Sequence, residues 1–205
     1  MNIRPRAAAF VLGALVLSAP LAHADYGSRP PAPPRPESSS STSSSSSNES
    51  GFTPRQQADQ WYRDAYKDVE KGTKELAAGK TESAEKKFRR ALERSRRATE
   101  LDSTHHEAWN LVGFTSRKLG DYPNAFAAYN VAIRLKPDYA QAREYYGEGL
   151  LETGDLAGAR RQLAALEKIG DEAMTSELRS AINKYEASHA SPSSPADSSG
   201  THGGK

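Results

Sequence analysis

A chain of 205 residues, with 28 basic and 26 acidic side chains and no cysteine, has room for one modest domain and excludes a disulfide-stapled fold or a thiolate metal site. Setting aside Arg4 and Arg6, which lie in a removable leader, basic and acidic residues balance, so no global charge draws the protein to nucleic acid or anionic lipid. Serine, proline and glycine crowd both ends, and only about 130 residues, from roughly Thr53 to Ala187, carry enough apolar side chains to bury a core.

Arg4 and Arg6 precede an uncharged apolar run from Ala7 to Leu17, Pro20 breaks it, and Ala22-His23-Ala24 supplies the small residues a signal peptidase needs. The run is shorter than the roughly 20 residues that span a bilayer. The pattern predicts an export signal over residues 1–24, cleaved after Ala24, and a periplasmic or secreted protein without a transmembrane anchor. With no cysteine after that point, a lipid anchor is excluded. Pro30, Pro31, Pro33, Pro34 and Pro36 favour polyproline II, and Ser38 to Ser47 holds nine serines and one threonine, so residues 25–52 are expected to form a disordered spacer. Pro31 and Pro34 stand at PxxP spacing, a weak signal in any proline-rich run. Residues 188–205 read as a second disordered tail.

The middle of the chain repeats itself. Gly113 and Gly147 lie 34 residues apart, as do Gly120 and Gly154, Asp121 and Asp155, and Ala125 and Ala159. Each period reads as two helices. The first spans about 107–119 and ends at Gly120, which tolerates a left-handed backbone. Asp121 caps the next, Pro123 fits its first turn, and the helix stops before Pro137. Upstream, Gly72, Gly79, Ala84, Phe88 and Ala91 keep the same internal spacing, but Gly79 and Gly120 are 41 residues apart. The extra seven residues predict a second helix lengthened by two turns, over about 81–101, with nearly the same face inward. Before it, residues 54–78 read as a helix with Trp61, Ala65, Val69 and Leu76 inward. After the repeats, Met174, Leu178, Ile182 and Tyr185 mark an amphipathic helix over about 171–187 that covers the last unit.

The stretch Ala108-Trp109, Gly113, Gly120-Asp121-Tyr122, Ala125, Tyr129, Ala132 and Leu135-Lys136-Pro137 resembles a tetratricopeptide repeat. Tyr146-Gly147, Leu150, Gly154-Asp155, Ala159, Leu163 and Leu166 resemble a second, with Arg143 in place of the opening tryptophan. Ser116 stands where the family usually has a large aromatic. The resemblance implies an all-α fold over residues 53–187: a right-handed superhelical array of helix–turn–helix units, near 65–103, 106–139 and 140–170, with a C-terminal capping helix. Its implied function is non-catalytic, a scaffold that holds a protein or peptide partner on a concave face lined by the first helix of each unit. By the same pattern that face exposes Glu107, Asn110, Phe114, Arg117 and Lys118, then Glu144, Glu148, Leu151 and Glu152. The last three glutamates, four residues apart, are expected to form an acidic stripe.

Other readings are weaker. Lys86, Lys87, Arg89, Arg90, Arg94, Arg96 and Arg97 cluster, but Glu82, Glu85, Glu93 and Glu100 interleave with them. Contact with an acidic envelope polysaccharide or lipid is the alternative function, and nucleic acid is not expected. His105 and His106 lack the spacing of a zinc site. Asp102, Ser103 and His105 are neighbours in a turn, with no framework for a catalytic relay. No phosphate loop is present. The sequence therefore predicts no enzyme, no metal and no cofactor.

Overall fold

A computed structural model describes residues 52–189. The expected export signal, its cleavage point, the spacer as far as Gly51 and the tail from Ala190 lie outside the described residues. Seven helices follow one another: α1 (Pro54–Ala77), α2 (Thr81–Leu101), α3 (His106–Lys118), α4 (Tyr122–Leu135), α5 (Ala140–Glu152), α6 (Leu156–Ile169) and α7 (Glu172–His189). They pair as α1–α2, α3–α4 and α5–α6, and α7 lies across both α5 and α6. Contacts also run α1 to α3, α3 to α5 and α5 to α7, whereas α2, α4 and α6 do not meet one another. The first helices of the units therefore converge on the inner side while the second helices splay on the outer side. This is the all-α array of helix–turn–helix units with a C-terminal capping helix that the resemblance implied.

Local chemistry sets the boundaries. Thr53 and Gln56 form a reciprocal cap at the start of α1, and Pro54 occupies its first turn. Asp121, Asp155 and Asp171 each accept a backbone N–H three residues on, at 3.4, 2.7 and 3.1 Å. Gly79, Gly120, Gly154 and Gly170 have φ between 73° and 85°. At three of these turns the chain closes identically: Lys80, Asp121 and Asp155 each donate to the carbonyl five residues back, at 2.9, 2.9 and 2.8 Å.

Within each unit the two helices approach across a bare glycine. A Cβ on Gly113 would stand 2.5 Å from Tyr129 Cε1, and one on Gly72 would stand 2.8 Å from Phe88 Cε1. Both rings are buried. In the third unit the partner changes: Gly147 faces Leu178 of α7, at 2.6 Å from the same hypothetical Cβ. The capping helix thus fills a space that a second helix fills in the other units. Tyr129 also stacks on Tyr146, 5.9 Å between centroids, which ties the second unit to the third.

Two expectations need correcting. Trp61 does not point inward and is 39% exposed; Tyr62 takes the inward place beside Ala58, Ala65 and Val69. The stripes through 58, 62, 65, 69 and through 61, 65, 69 share residues, and the helix turns so that the first is buried. The capping helix runs on to His189, so 188 and 189 are helical rather than tail. Asp68, also unforeseen, is buried on α1 and accepts from Arg90 and Arg94 of α2. That fork satisfies a carboxylate which would be costly to bury alone. Among the described residues no helix is long and apolar enough to cross a membrane.

Replacing Gly72 with alanine is expected to destabilise the protein. Helix propensity gains about 1 kcal/mol, but overpacking against a rigid buried ring costs about 1–3 kcal/mol. Urea titration followed by circular dichroism at 222 nm should show a lowered midpoint, and a raised midpoint would refute the close approach.

Candidate interaction site on the concave face

Helices α3 and α5 present the concave face in register. Asn110 and Glu144, Phe114 and Glu148, Arg117 and Leu151, and Lys118 and Glu152 are pairs 34 residues apart on successive first helices. The expectation that these side chains stand open to solvent is corrected. Asn110, Phe114, Arg117, Glu144, Glu148 and Leu151 are all buried, and only Lys118 and Glu152 are half-exposed. The physical reason is the convergence of the inner helices, which brings long side chains of one unit against those of the next. Leu151 joins the apolar cluster formed with Leu166, Leu178 and Ile182.

Arg117 is the centre of this layer. At 1% exposure it reaches from α3 to α5, with Nη2 donating to Glu148 Oε2 at 2.8 Å and Nη1 to Glu152 Oε1 at 2.7 Å. Its guanidinium carbon lies 5.6 Å from the Phe114 ring centroid and 5.9 Å from that of Tyr145, and the two rings are 5.2 Å apart. Burial opposes the charge, but Glu148 and the other nearby acidic groups hold the pKa well above the usual arginine value. The expected stripe of repelling glutamates is therefore organised around a cation. Glu144 differs. Burial, and then the charge of Glu148, push its carboxyl well above the usual range. Its Oε2 has no hydrogen-bond partner, and neither does Oδ1 of Asn110 at the equivalent position one unit earlier.

At the start of α3 the polar groups continue. His105 is buried, with Nε2 3.2 Å from Asp59 and Nδ1 3.1 Å from Glu107, against the Tyr62 ring at 5.0 Å. Burial raises the Glu107 carboxyl. That effect is outweighed by the His105 hydrogen bond, its own backbone N–H and the histidine charges, which lower the pKa to about 2. Burial lowers the pKa of His106, whose ring meets Tyr139 edge-on at 4.9 Å. Tyr139 receives a hydrogen bond from Asn110 Nδ2 at 3.4 Å and donates to Gln141 Oε1 at 2.9 Å, and Gln141 Nε2 reaches Tyr145 Oη at 3.3 Å. Tyr139, Gln141 and Tyr145 were not singled out from the sequence. The 34-residue spacing was the available signal, since Gln141 repeats the position of Glu107 and Tyr139 that of His105.

The other candidates disperse. Asp102 turns to Arg55 at 2.7 Å and to Thr104, away from His105, so Asp102, Ser103 and His105 form no relay. Among the described residues no cluster of histidine and carboxylate side chains is arranged to hold a metal. In the basic run Arg90 and Arg94 bind Asp68, while Lys86, Arg89 and Arg97 pair with Glu82, Glu85 and Glu100. Trp109 lies partly exposed between α2 and α4, its indole N–H donating to the Ser103 carbonyl at 2.9 Å.

The tetratricopeptide repeat profile matches residues 69–140 and 116–174, together more than half of the chain. The protein belongs to the tetratricopeptide repeat family. Of 29 solved chains that match, one is the "First TPR of Spaghetti (RPAP3) bound to HSP90 peptide SRMEEVD". It is 18% identical, with 63% of this chain and 96% of that chain covered, at a TM-score of 0.47. Comparison with curated proteins returns no match.

Arg117→Ala leaves Glu148 buried without its cation and is expected to cost about 3–5 kcal/mol. The triple replacement Arg117→Met, Glu148→Gln, Glu152→Gln should recover most of that in chemical denaturation; no recovery would contradict the ionic layer. Glu107 has the opposite kind of test. Its folded pKa lies below the ordinary 4.5, so its contribution is present above pH 4.5 and lost as pH falls toward 2. Glu107→Gln should lower stability at pH 6 by on the order of 1 kcal/mol, discounted for solvent screening. Thermal melts should show that deficit closing below pH 4.5, and a deficit constant with pH would exclude this role.

Proposed function

We propose that this protein is a scaffold of the cell envelope that holds an extended peptide or a helix of a partner protein on its concave face. Repeats of this family are interaction modules, and the coarser statement, a protein–protein interaction scaffold, follows from the family and the fold. The observation that carries the finer reading is the Arg117 layer. Its ionic pairs and the Tyr139–Gln141–Tyr145 chain hold aromatic, amide and carboxylate groups in one fixed arrangement across two units. Being buried, Arg117, Glu148 and Tyr145 do not meet a partner themselves; they hold the inner helices, and the rim groups they carry, in fixed positions, so that little side-chain freedom is lost on binding. Lys118 and Glu152, half-exposed at the rim, are the groups that a partner meets first. The leader supports the location: Arg4, Arg6, the apolar run to Leu17 and Ala22-His23-Ala24 form an export signal.

The test is photocrosslinking in living cells. A benzophenone side chain at Lys118 or Gln141 should yield a discrete protein adduct in the envelope fraction, and one at Ala127 on the outer helix α4 should not. Equal adducts from both faces would overturn the assignment of the concave face. The same preparation should have a mass that starts at Asp25; an intact N-terminus would remove the envelope location.

A further inference from the structure

We propose that the outer surface around α2 binds an acidic glycan, with Trp61 and Trp109 stacking on sugar rings and Arg96 pairing with a sugar carboxylate. This surface is separate from the concave face, and the two readings stand or fall independently.

Two open hollows adjoin on this surface. The first, of about 510 Å³, is lined by Trp61 of α1 and, along α2, by Arg89, Leu92, Glu93, Arg96 and Glu100. The second, of about 420 Å³, lies between α2 and α4, with Trp109, Val112, Ala128 and Val131 on its apolar side. Arg96 and Glu100 line both, so the hollows meet at one polar ridge with a tryptophan on each flank. These are the two tryptophans of the chain. Neither indole is sealed: Trp61 is 39% exposed, and Trp109 is half-buried. The indole N–H of Trp109 already donates to the Ser103 carbonyl at 2.9 Å, so what it offers a ligand is an apolar ring. Along the ridge, Arg97 pairs with Glu100 at 2.8 Å and Arg89 with Glu85 at 3.4 Å, while Arg90 and Arg94 turn to Asp68. Arg96 is exposed, and among the described residues no carboxylate pairs with its guanidinium. Glu93, one turn away, is exposed as well.

These groups select a class of ligand. An indole face covers a flat, C–H-rich surface whose edges carry polar groups, and a pyranose ring has that shape. Glu93 and Glu100 accept from hydroxyls, and the arginines donate to them. A guanidinium between the two indoles takes a carboxylate in a bidentate fork. Arg89, Arg96 and Arg97 stand against Glu93 and Glu100 in the first hollow, and the positive excess favours an acidic sugar over a neutral one. The ridge is one helix wide, roughly 10 Å, so a glycan of a few rings reaches from Trp61 to Trp109. A membrane surface fits less well. The apolar side chains lie in separate hollows, and the glutamates among the arginines would meet an anionic lipid layer with like charge.

Because both tryptophans flank the ridge, intrinsic fluorescence reads the site directly. The exported chain, from Asp25 to Lys205, is titrated with polygalacturonate, with uncharged dextran and with phosphatidylglycerol vesicles. Polygalacturonate should give a saturable change in emission that weakens as sodium chloride rises from about 0.05 to 0.5 M, and dextran and the vesicles should give none of comparable strength. Arg96→Ser and Trp61→Ser should each weaken binding about tenfold with the circular dichroism spectrum unchanged. Lys184→Ser, an exposed cation on α7, should leave it unaltered. Should Trp61→Ser disturb the fold, Arg96→Ser decides alone. Emission that ignores polygalacturonate, an equal response to dextran, a response to vesicles in its place, or equal losses from Arg96→Ser and Lys184→Ser overturns the proposal. A glycan leaves no protein adduct at Ala127, which also lines the second hollow; a protein captured there would overturn the proposal too.

Discussion

Each of the first two units depends on a single close approach: a glycine on its first helix leaves a space into which the ring of a residue sixteen positions later sinks. Gly72 receives Phe88 and Gly113 receives Tyr129. A side chain at either glycine would hold the helices apart and tilt the unit away from its neighbour. The third unit shows the constraint from the other side. Its second helix offers Leu163, smaller than a ring, and the space beside Gly147 is filled by Leu178 of α7 instead. The capping helix completes packing that the unit cannot complete alone, in keeping with the general need of such arrays for a terminal cap.

The same geometry makes the candidate site. Because first helices meet on the inner side, a long side chain on one reaches the next, and Arg117 does so with Glu148 and Glu152. A buried ion pair of this kind is modest evidence for stability, since desolvation offsets much of the attraction. Its clearer consequence is orientation. Phe114, Tyr145 and the carboxylates are held in one arrangement, and the polar chain from Asn110 to Tyr145 extends it toward the start of α3. Glu144 is buried next to this arrangement, and burial together with the charge of Glu148 pushes its carboxyl above the usual range.

Much of the fold was legible in the sequence because it is punctuated by residues with one backbone purpose. Gly79, Gly120, Gly154 and Gly170 adopt left-handed turns, and Asp121 and Asp155 cap the helices that follow. The two extra turns of α2 were readable because Gly79 and Gly120 are spaced seven residues too far apart. What the pattern did not decide was rotation about a helix axis. Trp61 and Tyr62 are both large and adjacent, and only the position of the neighbouring helix selects Tyr62. The concave register was readable for the same reason as the fold, through residues 34 apart. The burial of that face was not, because an arginine and three glutamates on a helix read as solvated unless the distance to the next unit is known. Asp68 escaped for a similar reason: its partners Arg90 and Arg94 lie on another helix, inside what looked like a basic surface patch.

The most direct measurement is a double-mutant cycle between Gly113 and Tyr129. If the ring seated on the bare backbone governs the spacing of the helices, Gly113→Ala should be costly with Tyr129 present. The same change should be neutral or favourable once Tyr129→Leu has cleared the space, giving a coupling of about 1 kcal/mol or more. An alanine at 113 that costs the same in both backgrounds would contradict the account.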